Sequence, residues 1–200
     1  FGVAGGLLAM YAPNEASGGW WMLGGALMIG LAMIFDGLDG SLARAKGEVT
    51  RWGDYLDHTI DRILDSTWVV CLSASVFVND LALGFAAALL TLLGSYMGTQ
   101  AQAVAGTRNY RGFSRADRTV LTLLSLVIMG VMLLMDFSTS AVFPGPFDHI
   151  NVNPLSIVVF ISALGGVWTF FVRFKQAQGD IQAIDKADPL PQPAAKKQDE

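Results

Sequence analysis

Four aspartates stand at helical spacings on either side of a short turn in the first third of the sequence. Asp36 and Asp39 are three residues apart, and Asp57 and Asp61 are four residues apart. Each spacing places both side chains on one face of a helix. A helical hairpin closed by a short loop turns two such faces toward each other. The four carboxylates would then converge in a small volume, where like charges repel unless cations lie between them.

Oxygen-rich clusters of this kind are typical of hard divalent cations such as Mg²⁺ and Mn²⁺. Two such ions would balance the four negative charges, and ions about 3.5–4 Å apart are the arrangement that holds phosphoryl groups during displacement. The alternative is that the aspartates pair with basic side chains of the same segment. These are Arg44, Lys46, Arg51 and Arg62. Four acids in phase on two helices favour the metal site.

The aspartates lie among long apolar runs. Hydrophobic residues make up 52% of the 200 residues and charged residues 15%, against a usual charged fraction of about 25%. A helix needs about 20 apolar residues to cross a bilayer. Runs close to this length are 20–35 continuing to 44, 60–78, 81–104, 120–135 and 155–172, and 1–11 resembles the second half of another. We therefore expect an all-α polytopic membrane protein with six transmembrane helices, the first of which begins before residue 1.

The basic residues predict how these helices are oriented. All 13 lysines and arginines lie near the second-to-third turn, in the fourth-to-fifth connection or after the last run. By the positive-inside rule, these segments and both termini are cytoplasmic, with the protein in the cell membrane. We expect a transmembrane domain over 1–173 and a polar tail over 174–200 that frays into solvent after a short interfacial turn. The net charge of −4 argues against a nucleic-acid partner.

Small residues surround the aspartates, at Gly37, Gly40, Ala43 and Gly53. They either let helices pack closely or leave room for a flat or phosphorylated group to approach the backbone. Arg44, on the helix of Asp36, is suited to bidentate contact with a phosphate, although a snorkelling arginine would also explain it. The residues alone leave both alternatives open.

Segment 36–61 resembles the signature of the CDP-alcohol phosphotransferase family: D-x-x-D-G-x-x-A-R, eight residues, then G-x-x-x-D-x-x-x-D. The fixed positions are matched by Asp36, Asp39, Gly40, Ala43, Arg44, Gly53, Asp57 and Asp61. The resemblance implies an integral membrane enzyme of phospholipid biosynthesis. Such an enzyme moves a substituted phosphate from a CDP-alcohol, here a CDP-linked lipid, to an acceptor hydroxyl and releases CMP.

The resemblance also implies roles for these residues. Asp36, Asp39 and Asp57 would hold two divalent cations, Mg²⁺ or Mn²⁺, and Asp61 would be the general base and a further metal ligand. The pocket for CDP would be lined by Gly40, Ala43, Arg44 and Gly53. Family members are commonly homodimers, so the resemblance implies a second copy of this chain as a partner.

The acceptor is the least determined part of the prediction. Segment 95–118 is similar to relatives that make phosphatidylglycerol phosphate or inositol phospholipids, but it lacks the basic residues that often follow their Ser-Tyr pair. Its arginines either bind an acceptor phosphate or only orient the protein. They are Arg108, Arg111, Arg115 and Arg118. We predict a phosphorylated polyol acceptor, such as inositol phosphate or glycerol phosphate, with serine or another small alcohol as the alternative.

Two other classes of protein also place carboxylates in membranes. An ion transporter would have acids near the middle of several helices, and an intramembrane aspartyl protease would need only one facing pair. Neither accounts for four acids at one end of one hairpin together with Arg44.

Asp65 continues the face of Asp57 and Asp61 by one turn. It would be either a hydrogen-bond acceptor behind the site or part of the wall of the acceptor site. His58 is predicted to turn away from Asp57 and not to be a ligand.

Overall fold

The computed structural model describes residues 1–107, 110–138 and 141–189. These residues form six α-helices and one short 3-10 helix. They are α1 Gly2–Met10, α2 Ala16–Lys46, α3 Arg51–Ala74, α4 Leu81–Ala105, α5 Arg115–Leu134, the 3-10 helix Gly145–Phe147 and α6 Pro154–Ala187. Within these ranges, strand pairing is limited to an isolated antiparallel bridge between Val142 and Asn151. The prediction of an all-α protein is confirmed.

Four of the helices, α2, α4, α5 and α6, are long and apolar enough to cross a membrane. The other two fall outside that criterion for different reasons. Helix α1 has 9 residues, and α3, with 24 residues, carries four aspartates between Asp54 and Asp65. Length and composition therefore identify four candidate spans among the six that the sequence predicts.

Caps fix where the helices near the aspartates begin and end. Gly47 ends α2 with a φ of +70°, a left-handed conformation that glycine adopts without steric cost. Thr50 begins α3, and its Oγ1 accepts a hydrogen bond from the Gly53 amide at 3.0 Å. Ser114 and Asp117 form a capping box at the start of α5. These caps keep the α2–α3 turn short and set the position of the first turn of α5.

Glycine contacts bring the helices close enough to share a core. Where α2 crosses α5, a Cβ added to Gly19 would lie 2.7 Å from the carbonyl oxygen of Gly130, so only glycine permits this approach. Met22 and Ile29 of α2 and Leu126 of α5 are fully buried beside that crossing. The core thus lies in the middle of the bundle and leaves both ends for polar groups.

The connections alternate between two ends of the bundle. At one end, Arg173 Nη1 of α6 donates to the carbonyl oxygen of Gly94 of α4 at 2.9 Å. At the other end, Asn153 Nδ2 donates to the carbonyl oxygen of Phe77 at 2.8 Å. The first end contains the α2–α3 turn, the α4–α5 connection and the end of α6. These segments and the adjoining parts of α2, α3 and α5 carry all the lysines and arginines of the described ranges.

The expectation that the chain frays soon after residue 174 is wrong, because α6 continues to Ala187. Segment 174–187 has no proline and is rich in alanine, glutamine and lysine, which favour helix even without apolar periodicity. Pro189 then disfavours a helical conformation for the residue before it. Accordingly, Asp188 ends the helix with φ −140° and ψ 80°.

Candidate active site

Three of the four motif aspartates come together where α2 faces α3. Asp57 lies before residue 60, where the predicted third span begins, and therefore outside that span. Burial, and next the nearby Asp36 carboxylate, raise the pKa of Asp57 above its ordinary value. Ligand atoms of Asp57, His58 and Asp61 lie within 4.8 Å of one another. Asp39 is exposed on α2. The hairpin therefore forms and brings Asp36, Asp57 and Asp61 together, and a ligand role for Asp39 stays a prediction.

The donor atoms of this cluster suit a divalent cation. Asp61 is 4% exposed, and its Oδ1 has no hydrogen-bond partner among the described residues. A buried carboxylate needs a compensating positive charge; Arg115 Nη2, 2.7 Å from Oδ1, supplies one in this structure, and a bound cation would supply another. His58, expected to turn away, instead lies with Nδ1 3.9 Å from Asp57 Oδ2. Carboxylate and imidazole ligands suit Mn²⁺, and carboxylates alone suit Mg²⁺. The residues present therefore fit the ions that the sequence predicts.

Arg115 joins both helices of the hairpin to α5. Its Nη1 donates to Asp36 Oδ2 at 3.0 Å, and its Nη2 lies 2.7 Å from Asp61 Oδ1 without the angles of a hydrogen bond. The capping box at Ser114 places Arg115 in the first turn of α5. Arg118, three residues later, lies on the same helix face. The acids thus meet the arginines of α5, which lie far away in sequence.

A buried carboxylate lies one turn deeper, at Asp65. Arg118 Nη2 donates to Asp65 Oδ2 at 2.8 Å, and Arg62 Nη2 lies 3.9 Å from the same oxygen. Arg62 also lies 3.8 Å from Asp61 Oδ2 and donates to the Ser95 hydroxyl. From the sequence, four basic residues are candidate ion-pair partners of the aspartates. Among the described residues, Arg62 is the one of these four that forms such pairs.

A cavity of about 490 Å³ opens beside these groups. Asp36 and Asp61 form one part of its wall, and hydroxyl groups of α4 and α6 form another. The guanidinium groups that line it belong to Arg62, Arg115, Arg118 and Arg173. One cavity therefore brings together acids suited to cations and guanidinium groups suited to a phosphate.

The loop before α5 is fastened to α6 at the rim of this cavity. The Phe113 amide donates to Thr169 Oγ1 at 2.8 Å, and Arg173 Nε donates to the carbonyl oxygen of Arg111 at 2.8 Å. Gly112 adopts a φ of +105°, and a Cβ there would lie 2.7 Å from Thr169 Oγ1. The loop conformation therefore depends on glycine at this position.

The residues predicted for CDP lie closer to the α2–α3 turn than the cavity does. Gly40, Ala43, Arg44 and Gly53 are absent from the cavity wall, and Gly37 belongs to it. A Cβ added to Gly37 would meet nothing within 4 Å, and one added to Gly40 would meet only Arg44, at 3.5 Å. Of the two explanations for these small residues, open space beside the helix fits better than helix packing. Their role in nucleotide binding stays a prediction.

The four arginines predicted to bind the acceptor differ in their position relative to the cavity. Arg115 and Arg118 line the cavity, Arg111 is exposed at its rim, and Arg108 lies outside the described residues. Arg62 and Arg173 line the cavity without having been proposed for the acceptor. A signal existed for both, since each is a basic residue at one end of an apolar run.

Comparison with known proteins agrees with this site. The chain matches the family described as CDP-alcohol phosphatidyltransferase over residues 3–171. It is 29% identical to a phosphatidylinositol phosphate synthase of Cutibacterium acnes over 158 residues, 76% of this chain and 72% of that protein. It is 27% identical to one of Mycolicibacterium smegmatis over 175 residues, 85% and 71% of the two chains. An archaetidylinositol phosphate synthase of Pyrococcus horikoshii is 37% identical over 71 residues, 36% and 35% of the two chains.

Proposed function

Because the chain belongs to the CDP-alcohol phosphatidyltransferase family, we propose that it transfers a substituted phosphate from a CDP-linked lipid to a phosphorylated polyol and releases CMP. Inositol phosphate is the acceptor that we favour, since relatives are named phosphatidylinositol phosphate synthase or archaetidylinositol phosphate synthase. The reaction would be a step of phospholipid biosynthesis. Membership of a transferase family leaves no support for the ion transporter or the aspartyl protease.

The observation that carries the choice of acceptor is the composition of the cavity wall. Four guanidinium groups line the same cavity as Asp36 and Asp61. An acceptor that carries a phosphate would form charge-assisted hydrogen bonds with several of them while its hydroxyl faces the acids. Serine or another small alcohol offers no such group and would leave the arginines without a ligand. Glycerol phosphate has the required charge and is the nearest competitor.

The aspartates supply the chemistry of transfer in this proposal. Asp36, Asp39, Asp57 and Asp61 would hold two divalent cations, Mg²⁺ or Mn²⁺, with His58 as a further ligand. Bound there, such ions neutralise charge on the pyrophosphate and polarise the phosphorus under attack. Asp61 takes the proton of the attacking hydroxyl, because its carboxylate is at the cavity wall where that hydroxyl arrives.

The nucleotide would approach the open side of the hairpin. Gly40, Ala43 and Gly53 leave the backbone accessible there, and the exposed guanidinium of Arg44 would bind a phosphate of CDP. The lipid chain of the donor would stay in the membrane, while the polar acceptor enters from water.

We also propose that all six helices lie in the cell membrane, as a domain over 1–173 followed by a polar cytoplasmic segment over 174–200. The active site and both termini would face the cytoplasm, in keeping with the basic residues at that end. The polar half of α3 would be covered by neighbouring helices and arginines, as membrane-embedded acids require. A homodimer is proposed on the family resemblance.

Purified protein in lipid nanodiscs with a CDP-linked diacyl lipid and Mn²⁺ tests this function. We expect CMP release with inositol phosphate, and its loss when EDTA removes the ions. Free inositol, glycerol phosphate and serine are the comparison acceptors. Release with serine or free inositol but with neither phosphate would refute the acceptor, whereas no release with any of the four would refute the transfer itself.

A further inference from the structure

We propose that Asp65 is a positioning residue that holds Arg62, Arg115 and Arg118 in place to receive the phosphate of the acceptor. The inference rests on the proposed function and extends it to a residue outside the family signature. It assigns Asp65 no contact with substrate; the carboxylate acts through the three guanidinium groups.

The contacts of Asp65 single it out among the carboxylates. Its side chain is 0% exposed, and Arg118 Nη2 donates to its Oδ2 at 2.8 Å. Arg62 Nη2 lies 3.9 Å from the same oxygen, and Arg115 Nε lies 3.9 Å from Oδ1. Within the described ranges, no other carboxylate forms ion pairs with all three arginines.

The charges of the cluster explain why such a residue is needed. Three guanidinium groups line the same cavity wall, where their like charges repel one another. Arginine side chains are long, and holding them together costs electrostatic energy and rotamer entropy. A buried carboxylate between them offsets the repulsion and restricts their rotamers. Their order in the absence of a bound phosphate therefore depends on Asp65.

Asp36 and Asp61 are unsuited to this role because they are proposed to hold cations. An oxygen that ligates a divalent ion has less negative charge to share with Arg115. Asp65 is one helical turn below Asp61 and does not border the 490 Å³ cavity. It borders a small adjoining space together with Thr91 and Arg118. Asp65 thus keeps its charge for the arginines when the acids above it serve the ions.

Arg118 also has a second fixed contact, which makes the geometry specific. Its Nη1 donates to the carbonyl oxygen of Phe113 at 3.0 Å, and its Cζ lies 5.8 Å from the centroid of that ring. Asp65 and Phe113 therefore hold two sides of one guanidinium. Arg118 itself lines the cavity, where an acceptor phosphate would arrive.

The test is the Asp65→Asn variant, which removes the charge and keeps the shape. We expect the KM for inositol phosphate to rise about tenfold or more, since a charge-assisted contact contributes about 1.5–3 kcal/mol. The KM for the CDP-linked lipid should stay within about twofold. Calorimetric titration with inositol phosphate alone should show the same weakening. Asp185→Asn, which removes an exposed carboxylate of α6, is the matched control and should change neither constant.

The Asp65→Glu variant keeps the test valid if the asparagine variant fails to fold, as loss of a buried partner can cause. It retains the charge but shifts it by one methylene, so the KM for inositol phosphate should rise less than in Asp65→Asn. Equal rises in both KM values, or a fall in kcat alone, would overturn the positioning role. If the wild type used only acceptors without phosphate, the proposed function would fail first.

Discussion

At the scale of single residues, the guanidinium of Arg115 and the proposed divalent ions compete for the same carboxylate oxygens. Arg115 lies 3.0 Å from Asp36 Oδ2 and 2.7 Å from Asp61 Oδ1. The same two carboxylates are proposed to hold divalent ions. When one cation binds a carboxylate oxygen, that oxygen attracts a second cation less strongly. Arg115 and the ions therefore oppose each other, and Arg115 is drawn toward the acceptor phosphate as the ions bind.

This competition predicts that Arg115→Ala binds Mn²⁺ more tightly, by about tenfold if one charge-assisted contact is removed. The KM for inositol phosphate should rise in the same variant, because the phosphate loses a partner. Titration of Mn²⁺ followed by electron paramagnetic resonance measures the first effect. Arg51→Ala removes an equal charge from an exposed position at the same end of the bundle and is the control. Weaker Mn²⁺ binding in Arg115→Ala would show that no competition exists.

The role of Asp61 as the base predicts a separation of binding from chemistry. Asp61→Asn should reduce CMP release by about 100-fold or more, the range expected for loss of general base catalysis. Binding of the CDP-linked lipid should be largely retained, because Asp36 and Asp57 remain. Equilibrium binding and turnover are measured on the same preparation, with Glu48→Gln of the exposed turn as the control. Equal loss of binding and turnover would count against the base.

At the scale of helices, the start of α5 determines where the basic wall of the cavity stands. The Ser114 hydroxyl accepts from the Asp117 amide at 3.2 Å, and the Ser114 amide donates to Asp117 Oδ2 at 2.9 Å. This capping box fixes the residue at which α5 begins, and therefore the direction of Arg115 and Arg118. A local sequence signal thus has a consequence for the binding of a distant ligand.

Ser114→Ala should lower the free energy of unfolding by about 1 kcal/mol, the usual cost of a lost N-cap. It should also raise the KM for inositol phosphate, because the first turn of α5 frays. Thermal unfolding in detergent and steady-state kinetics measure the two effects. Asp80→Ala removes the cap of α4, whose Leu83 amide donates to Asp80 Oδ1 at 2.9 Å, at the opposite end. A KM change of the same size in that variant would contradict the local role of Ser114.

The helices themselves were predictable, because apolar runs near membrane length and short breakers define them. The end of α6 was not predictable in the same way, because polar composition suggests fraying, whereas helix propensity and Pro189 decide the boundary. Within the site, spacing correctly brought Asp57 and Asp61 to one face and pointed to Asp36. It could not show that Arg115 lies against Asp36, since periodicity identifies a face and not the helix opposite.

At the scale of the whole molecule, the two ends of the bundle differ in charge and in the groups that they contain. The end with Arg115 holds the acids, the cavity and the basic segments. The opposite end is held by Asn153, whose side chain contacts the Phe77 carbonyl oxygen, and by the contact of His149 Nε2 with Asp80 Oδ2 at 3.1 Å. Under the proposed function, this difference would place the reaction at one membrane surface, where the water-soluble acceptor and the lipid donor would meet.

The arrangement depends on whether α3 crosses the membrane, because α3 falls outside the apolar criterion met by α4 and α5. Glu48 precedes α3, and Asp148 follows α5. If α3, α4 and α5 all cross, three crossings put the two residues on opposite sides. If α3 lies along the surface, two crossings return them to the same side. The sidedness of this pair therefore tests the most polar of the proposed spans.

Site-specific labelling measures that sidedness, since Cys71 is the one cysteine of the sequence and is buried. Glu48→Cys and Asp148→Cys, each in a Cys71→Ser background, are treated with a membrane-impermeant maleimide in right-side-out and inverted vesicles. We expect Glu48→Cys to react only in inverted vesicles and Asp148→Cys only in right-side-out vesicles, with no labelling of Cys71→Ser alone. Reaction of both in the same vesicles would remove α3 from the membrane. The acids would then face water, where they would need neither Arg115 nor bound ions to be stable.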